Sequence, residues 1–138
     1  MTKQSNRPLA GLLPVLAIAL VSGCASLGDN MPPEEAVTVR AQAWADAVLA
    51  RDLDAAWEFT TPNYRKNTSV QLYSGEVAGS RRWTAVKVGS VDCEVDVCEV
   101  RVMVDYTVKR LKMSNSRPLD YKWLLVDGRW WLHVPASR

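Results

Sequence analysis

Few side chains here could do acid–base or nucleophilic chemistry, and their spacing keeps them apart. His133 is the single histidine in 138 residues. That leaves no second imidazole for a metal site and no Ser–His or Cys–His arrangement for a nucleophile. Asp105 stands between Arg101 and Lys109 in an alternating segment, where a solvated row of ion pairs accounts for it. If that face lined a pocket, Asp105 would be the best base available. Tyr64, Tyr73, Tyr106 and Tyr121 could each offer a hydroxyl to a bound molecule. No glycine-rich phosphate loop is visible. Tryptophan is abundant: Trp44, Trp57, Trp83, Trp123, Trp130 and Trp131 exceed what the core of so small a domain requires. Part of this aromatic surface is therefore expected to line an apolar pocket or a protein interface. The residues expected at such a pocket or interface are Trp44, Tyr64, Asp105, Tyr106, Trp123, Trp131 and His133. No catalytic set, metal or cofactor is expected.

The three cysteines sort by position. Residues 1–23 carry Lys3 and Arg7 as their only charges, with an apolar run from Leu9 to Val21. Such a run has signal-peptide length and is too short to span a bilayer, and Gly11 and Pro14 inside it disfavour a membrane helix. Val21-Ser22-Gly23-Cys24 follows, an aliphatic residue and two small ones before a thiol. This resembles the lipobox of bacterial lipoproteins, in which the cysteine takes a diacylglyceryl group. The resemblance implies cleavage before Cys24 and acyl chains, palmitate among them, on that residue. Two chains already suffice for stable anchoring. Ala25 and Ser26 come next; an Asp directly after the lipidated cysteine resembles an inner-membrane retention signal. Its absence points to the inner leaflet of the outer membrane, facing the periplasm. Residues 24–35 are read as a lipid-anchored linker and 36–138 as the domain. The stretch Ala25–Pro33 reaches at most about 30 Å, which keeps the domain close to the bilayer.

Cys93 and Cys98 remain as a pair. In an exported chain, C-x4-C with one distant histidine fits a disulfide better than a metal site. Charge gives no second address. The chain has 17 basic and 15 acidic residues, and Lys3 and Arg7 account for the excess. The part after Gly23 is neutral, with no global attraction to nucleic acid.

The elements that must position these residues come in two blocks. Pro33-Glu34-Glu35 opens a helix, and Val37, Ala41, Trp44 and Val48 form its apolar stripe to about Ala50. Asp52 can cap a second helix, Asp54 to Phe59, which Thr61-Pro62 ends. A weaker helical stretch runs from Val70 toward Ala78. From Trp83 the period becomes two. Val100, Val102, Val104, Tyr106 and Val108 share one face of the strand Cys98–Arg110. Asp127-Gly128 marks a tight hairpin that pairs Val126 with Arg129, Trp123 with Leu132 and Lys122 with His133. One face of that hairpin is then wholly apolar: Leu119, Tyr121, Trp123, Leu125, Trp130, Leu132 and Val134. A two-residue turn at Val95-Asp96 would set Cys93 against Cys98 in a non-hydrogen-bonded pair, where side chains are closest; a four-residue loop fits as well. Carried back, that register puts Lys87 opposite Val104 on the apolar face. A bulge at Gly89 would switch faces and turn Val86 and Val88 inward.

Helices followed by an antiparallel meander of about four strands make an α+β fold, with helices on one face of a curved sheet. Trp44, the step Arg51-Asp52-Leu53-Asp54, Trp57, the segment Thr61-Pro62-Asn63-Tyr64-Arg65 and the closing Leu125-Val126-Asp127-Gly128-Arg129-Trp130 resemble nuclear transport factor 2-like proteins. That superfamily includes ketosteroid isomerase and scytalone dehydratase. The resemblance covers residues 36 to 135 and implies a cone enclosing an apolar pocket, often dimeric through the sheet. The reading that follows is a lipid-anchored envelope protein acting as a non-catalytic binding or assembly module, meeting an envelope protein or a second copy through its sheet. The alternative is a small apolar ligand binder or a ketosteroid isomerase-like enzyme working in the cone.

Overall fold

The computed structural model describes residues 31–108, 110 and 113–135. The signal segment, Cys24 and the linker up to residue 30 lie outside them. Helix α1, Pro33–Ala50, opens on a proline with Glu34 and Glu35 in its first turn, and it buries Val37, Ala41, Trp44, Ala45 and Val48. Its first turn is Pro33–Glu35, the helix start read from the sequence. Among the described residues, no helix is long and apolar enough to cross a membrane.

Arg51 ends α1 in the left-handed region at φ 66°, an uncommon place for a side chain with a Cβ. Its guanidinium is tied down: Nη1 donates to Ser80 O at 2.8 Å. The carboxylate of Asp52 accepts from the Ala55 amide at 3.1 Å and so caps α2, Leu53–Trp57, which stops two residues short of the expected Phe59. Thr61-Pro62, read as a stop, also starts α3, Pro62–Asn67. Proline costs nothing in a first turn because its missing N–H has no partner there, and the Thr61 hydroxyl accepts from the Tyr64 amide at 3.3 Å. Helix α4, Val70–Glu76, and a 3₁₀ turn, Ala78–Arg82, lead into the sheet.

Strands β1 (Trp83–Cys93), β2 (Val97–Val108), β3 (Met113–Val126) and β4 (Arg129–His133) form an antiparallel meander in sequential order. Cys93 pairs with Cys98, and the Glu94 amide donates to Val97 O at 2.8 Å, which selects the two-residue link over the longer loop. The two cysteines form a disulfide with their Cα atoms 4.0 Å apart. The ladder shifts between Val88 and Ser90, so Val86 faces Val104 and Val88 faces Val102, with Gly89 as the extra residue. A Cβ on Gly89 would lie 3.3 Å from Arg101 O, which suits a residue without one. A second irregularity, between Trp83 and Ala85, has no counterpart in the sequence pattern. At the other hairpin Asp127 and Gly128 take φ 51° and 74°, as a tight turn matching the strand twist demands. Trp123 pairs with Leu132 and Lys122 with His133.

The helices cover the concave face. Val100, Val102, Val104, Trp123 and Leu132 from the sheet and Val37, Trp44, Val48 and Tyr73 from the helices are at most 2% exposed. Both sheet edges meet the helical layer. On β1, the Gln42 side chain accepts from the Val88 amide at 3.0 Å and donates to Val86 O at 3.3 Å. On β4, Leu132 donates to Phe59 O at 2.8 Å and accepts from the Thr61 amide at 3.2 Å.

Candidate functional site: the cone and its rim

The floor of the cone is aromatic. Trp44 Nε1 donates to Tyr73 Oη at 2.8 Å, and the Tyr121 ring meets Trp44 edge-on with centroids 4.7 Å apart. Burial raises the Tyr73 phenol well above its ordinary value, against a smaller lowering by the Trp44 bond. Burial also pushes Tyr121 up to about 12. Both hydroxyls are therefore neutral hydrogen-bonding groups at physiological pH, and the Tyr73 oxygen already holds an indole N–H. Trp123 packs edge-on to Phe59 at 6.5 Å; its Nε1 is buried with no partner among the described residues.

Above this floor a cavity of about 330 Å³ remains, lined by Trp83, Leu119 and Tyr121, with Arg117 and His133 among its polar residues. That lies at the low end of the range for small-molecule pockets. A neighbouring groove between the 3₁₀ turn and the far end of β2–β3 brings Arg81, Arg82 and Arg117 beside Trp83 and Tyr106. The Arg117 guanidinium lies 5.7 Å from the Tyr106 ring centre.

The residues expected at a pocket or interface are spread over separate places. Trp44 and Trp123 belong to the packed interior. Tyr106 stands at the outer groove. Tyr64 and His133 line a third concavity, between α3 and the β3–β4 hairpin, and His133 also reaches the cone cavity above Trp44; Tyr64 is raised by burial and then by Glu76. Asp105 is exposed on the convex face and accepts a hydrogen bond from Ser116 Oγ. Trp131 sits half-buried at the β4 edge among arginines. The aromatic surface expected on the sheet is largely absent: three of the six tryptophans are buried and three half-buried. The convex face instead carries Arg101–Asp120 and Lys122–Glu99 ion pairs at 2.8 and 3.4 Å. The sequence pattern missed Trp83 and Arg117 as pocket residues, because a helical turn and a distant strand bring them together. Among the described residues, no group of three or more potential metal ligands lies together.

No protein-family model and no curated protein matches the chain by sequence. Solved structures do match in shape. The protein Rd1NTF2_05, in a variant form, aligns with a TM-score of 0.52 at 15% identity, over 72% of this chain and 95% of that one. A Campylobacter jejuni protein assigned as a nuclear transport factor 2-like transpeptidase aligns at 0.50 and 12% identity, over 69% and 94%. AclR from Streptomyces galilaeus, assigned as a hydroxylase, aligns at 0.50 and 17% identity, over 67% and 72%. The fold is thus the α+β cone of nuclear transport factor 2-like proteins. At these identities the likeness concerns the fold alone.

Proposed function

We propose that the chain is a lipid-anchored cell-envelope protein whose cone domain is a non-catalytic binding or assembly module. The observation that carries this reading is what fills the cone. Trp44, Tyr73 and Trp123 occupy its interior, and the Tyr73 hydroxyl is committed to Trp44. Asp105, the candidate base, lies on the opposite face of the sheet. The matching folds include proteins assigned as a transpeptidase and a hydroxylase; of the groups able to do acid–base work, His133 and Glu76 reach the cavity wall, both as exposed residues at its rim. The anchor reading rests on Val21-Ser22-Gly23-Cys24, and placement at the inner leaflet of the outer membrane on Ala25 and Ser26. A protein partner or a second copy would meet the sheet at its β4 edge, where Trp131 is half-buried.

Crosslinking in detergent-solubilised envelopes, followed by co-purification, is expected to recover a partner or a self-contact; recovery of neither overturns the assembly reading. Radiolabelled palmitate should enter the wild-type chain and not Cys24→Ser. Equal labelling of both would remove the anchor.

A second reading is favoured by the residual cavity. Its aromatic lining and the Arg117 guanidinium suit a small apolar ligand with one polar end. Leu119→Trp, which fills that space, should abolish binding of such a ligand while leaving the crosslinking pattern unchanged.

A further inference from the structure

The β4 edge holds a cluster that the cone does not explain. Three guanidinium carbons converge on the Trp131 ring, at 4.7 Å for Arg65, 4.8 Å for Arg129 and 5.4 Å for Arg40. They come from three elements, α3, β4 and α1, so the fold assembles the cluster and no local motif encodes it. An indole has two faces to offer, and three cations share them. Arg40 is also stacked on Phe59 at 5.2 Å, and Arg65 lies 5.9 Å from Trp57.

Counter-charge is scarce. Among the described residues the one carboxylate within ion-pair distance of these arginines is Glu58, 3.8 Å from Arg65 Nε and itself largely exposed. Arg65 spends Nη1 on the Glu58 and Thr60 carbonyls. The hydrogen bond that Arg40 makes among the described residues runs from Nε to Trp130 O at 2.8 Å, and neither of its Nη groups is engaged there. Burial, followed by the charges of Arg129 and Arg65, brings Arg40 down to about 10. All three charges lie within about one Debye length of each other, about 10 Å at 0.1 M salt, and the half-burial of Arg40 and Arg65 weakens the screening further.

We propose that Arg40, Arg65 and Arg129 form, around Trp131, a binding site for an oxyanion of the phosphate class. A tetrahedral anion carries acceptors in several directions, which suits guanidinium forks arriving from different sides. Its charge offsets the mutual repulsion that the free protein carries. Two sources supply this chemistry, free phosphate and a phospholipid headgroup. The site stands whether or not Cys24 is acylated.

The test uses the full chain in nonionic detergent, with thermal unfolding as readout. Inorganic phosphate is expected to raise the Tm above that in chloride at equal ionic strength. Arg129→Gln, at an exposed position, should weaken the apparent phosphate affinity about tenfold. Relief of repulsion should leave this variant at least as stable as wild type in chloride. Arg129→Lys should recover part of the affinity, and Arg101→Gln, on the convex face, should behave as wild type. A second arm dopes the micelles with phosphatidylglycerol or phosphatidylcholine. Stabilisation by phosphatidylglycerol that Arg129→Gln loses assigns a headgroup; stabilisation by inorganic phosphate alone assigns the free anion. A wild-type protein that responds equally to phosphate and chloride, or an Arg129→Gln protein that responds to phosphate as wild type does, overturns the proposal.

Discussion

The concave and convex faces of the same four strands carry different chemistry. Val100, Val102, Val104, Trp123 and Leu132 face the helices with almost no exposure. Glu99, Arg101 and Asp105, which alternate with them on β2, are exposed and paired with Lys122, Asp120 and Ser116. Aromatic volume is on one side and rows of paired charges are on the other. Period-two alternation sends sequence neighbours to opposite faces, so Asp105 and Tyr106 stand apart although adjacent in the chain. The two kinds of side chain meet at the rims, where elements end: Arg117 at the cone mouth and the arginines around Trp131.

That contrast can be broken first from inside. Trp123→Ala should cost about 3–5 kcal/mol of unfolding free energy in urea melts. Trp123→Phe, which keeps most of the volume and removes an unpartnered N–H, should cost far less. Equal losses for the two would mean that the indole N–H has a partner after all. Next comes the clamp at the start of β2. Replacing both Cys93 and Cys98 with alanine should cost about 2 kcal/mol, the low end for so short a closed loop; no change in the urea midpoint would mean that the disulfide adds nothing to the register.

A pH series sharpens the comparison further. Tyr121 is held neutral up to about 12 in the folded protein, whereas in the unfolded chain it ionises near pH 10. The unfolded state then binds fewer protons between these values, so stability is full below pH 10 and falls as pH rises toward 12. Tyr121→Phe should flatten part of that fall, and an unchanged slope would place the phenol in solvent. The smallest effect belongs to the convex face. Asp120 is held below the usual carboxylate range by its hydrogen bond from Arg101, yet the pair is solvent-exposed. Arg101→Gln should leave the urea midpoint within error at 0.15 M salt, and a clear loss there would overturn the division between the faces.

How much of this was legible in the sequence follows from range. The disulfide, the Asp127-Gly128 turn and the Gly89 bulge are local events, governed by neighbours in a hairpin, and the alternation of Val100, Val102 and Val104 announces them. The second start at Thr61-Pro62 was legible in type but read as an end, since proline serves both purposes. Gln42 on the β1 edge, Tyr73 beneath Trp44, and Arg40 and Arg65 beside Trp131 join residues 29 to 91 positions apart. No periodicity records such partnerships. The seven residues nominated for a pocket or interface were chosen by type, and their dispersal over the molecule shows what type alone leaves open.

Gln42 and the Phe59–Thr61 segment have a further consequence for how copies of this protein can meet. An open sheet ordinarily offers its outer strands as templates, and identical chains can then join backbone to backbone. Here a side-chain amide occupies the β1 rung between Val86 and Val88, and the turn before α3 occupies the rung at Leu132. At those rungs the main chain is closed to a second copy, and a contact formed there would fall to side chains, which mutation can edit one at a time.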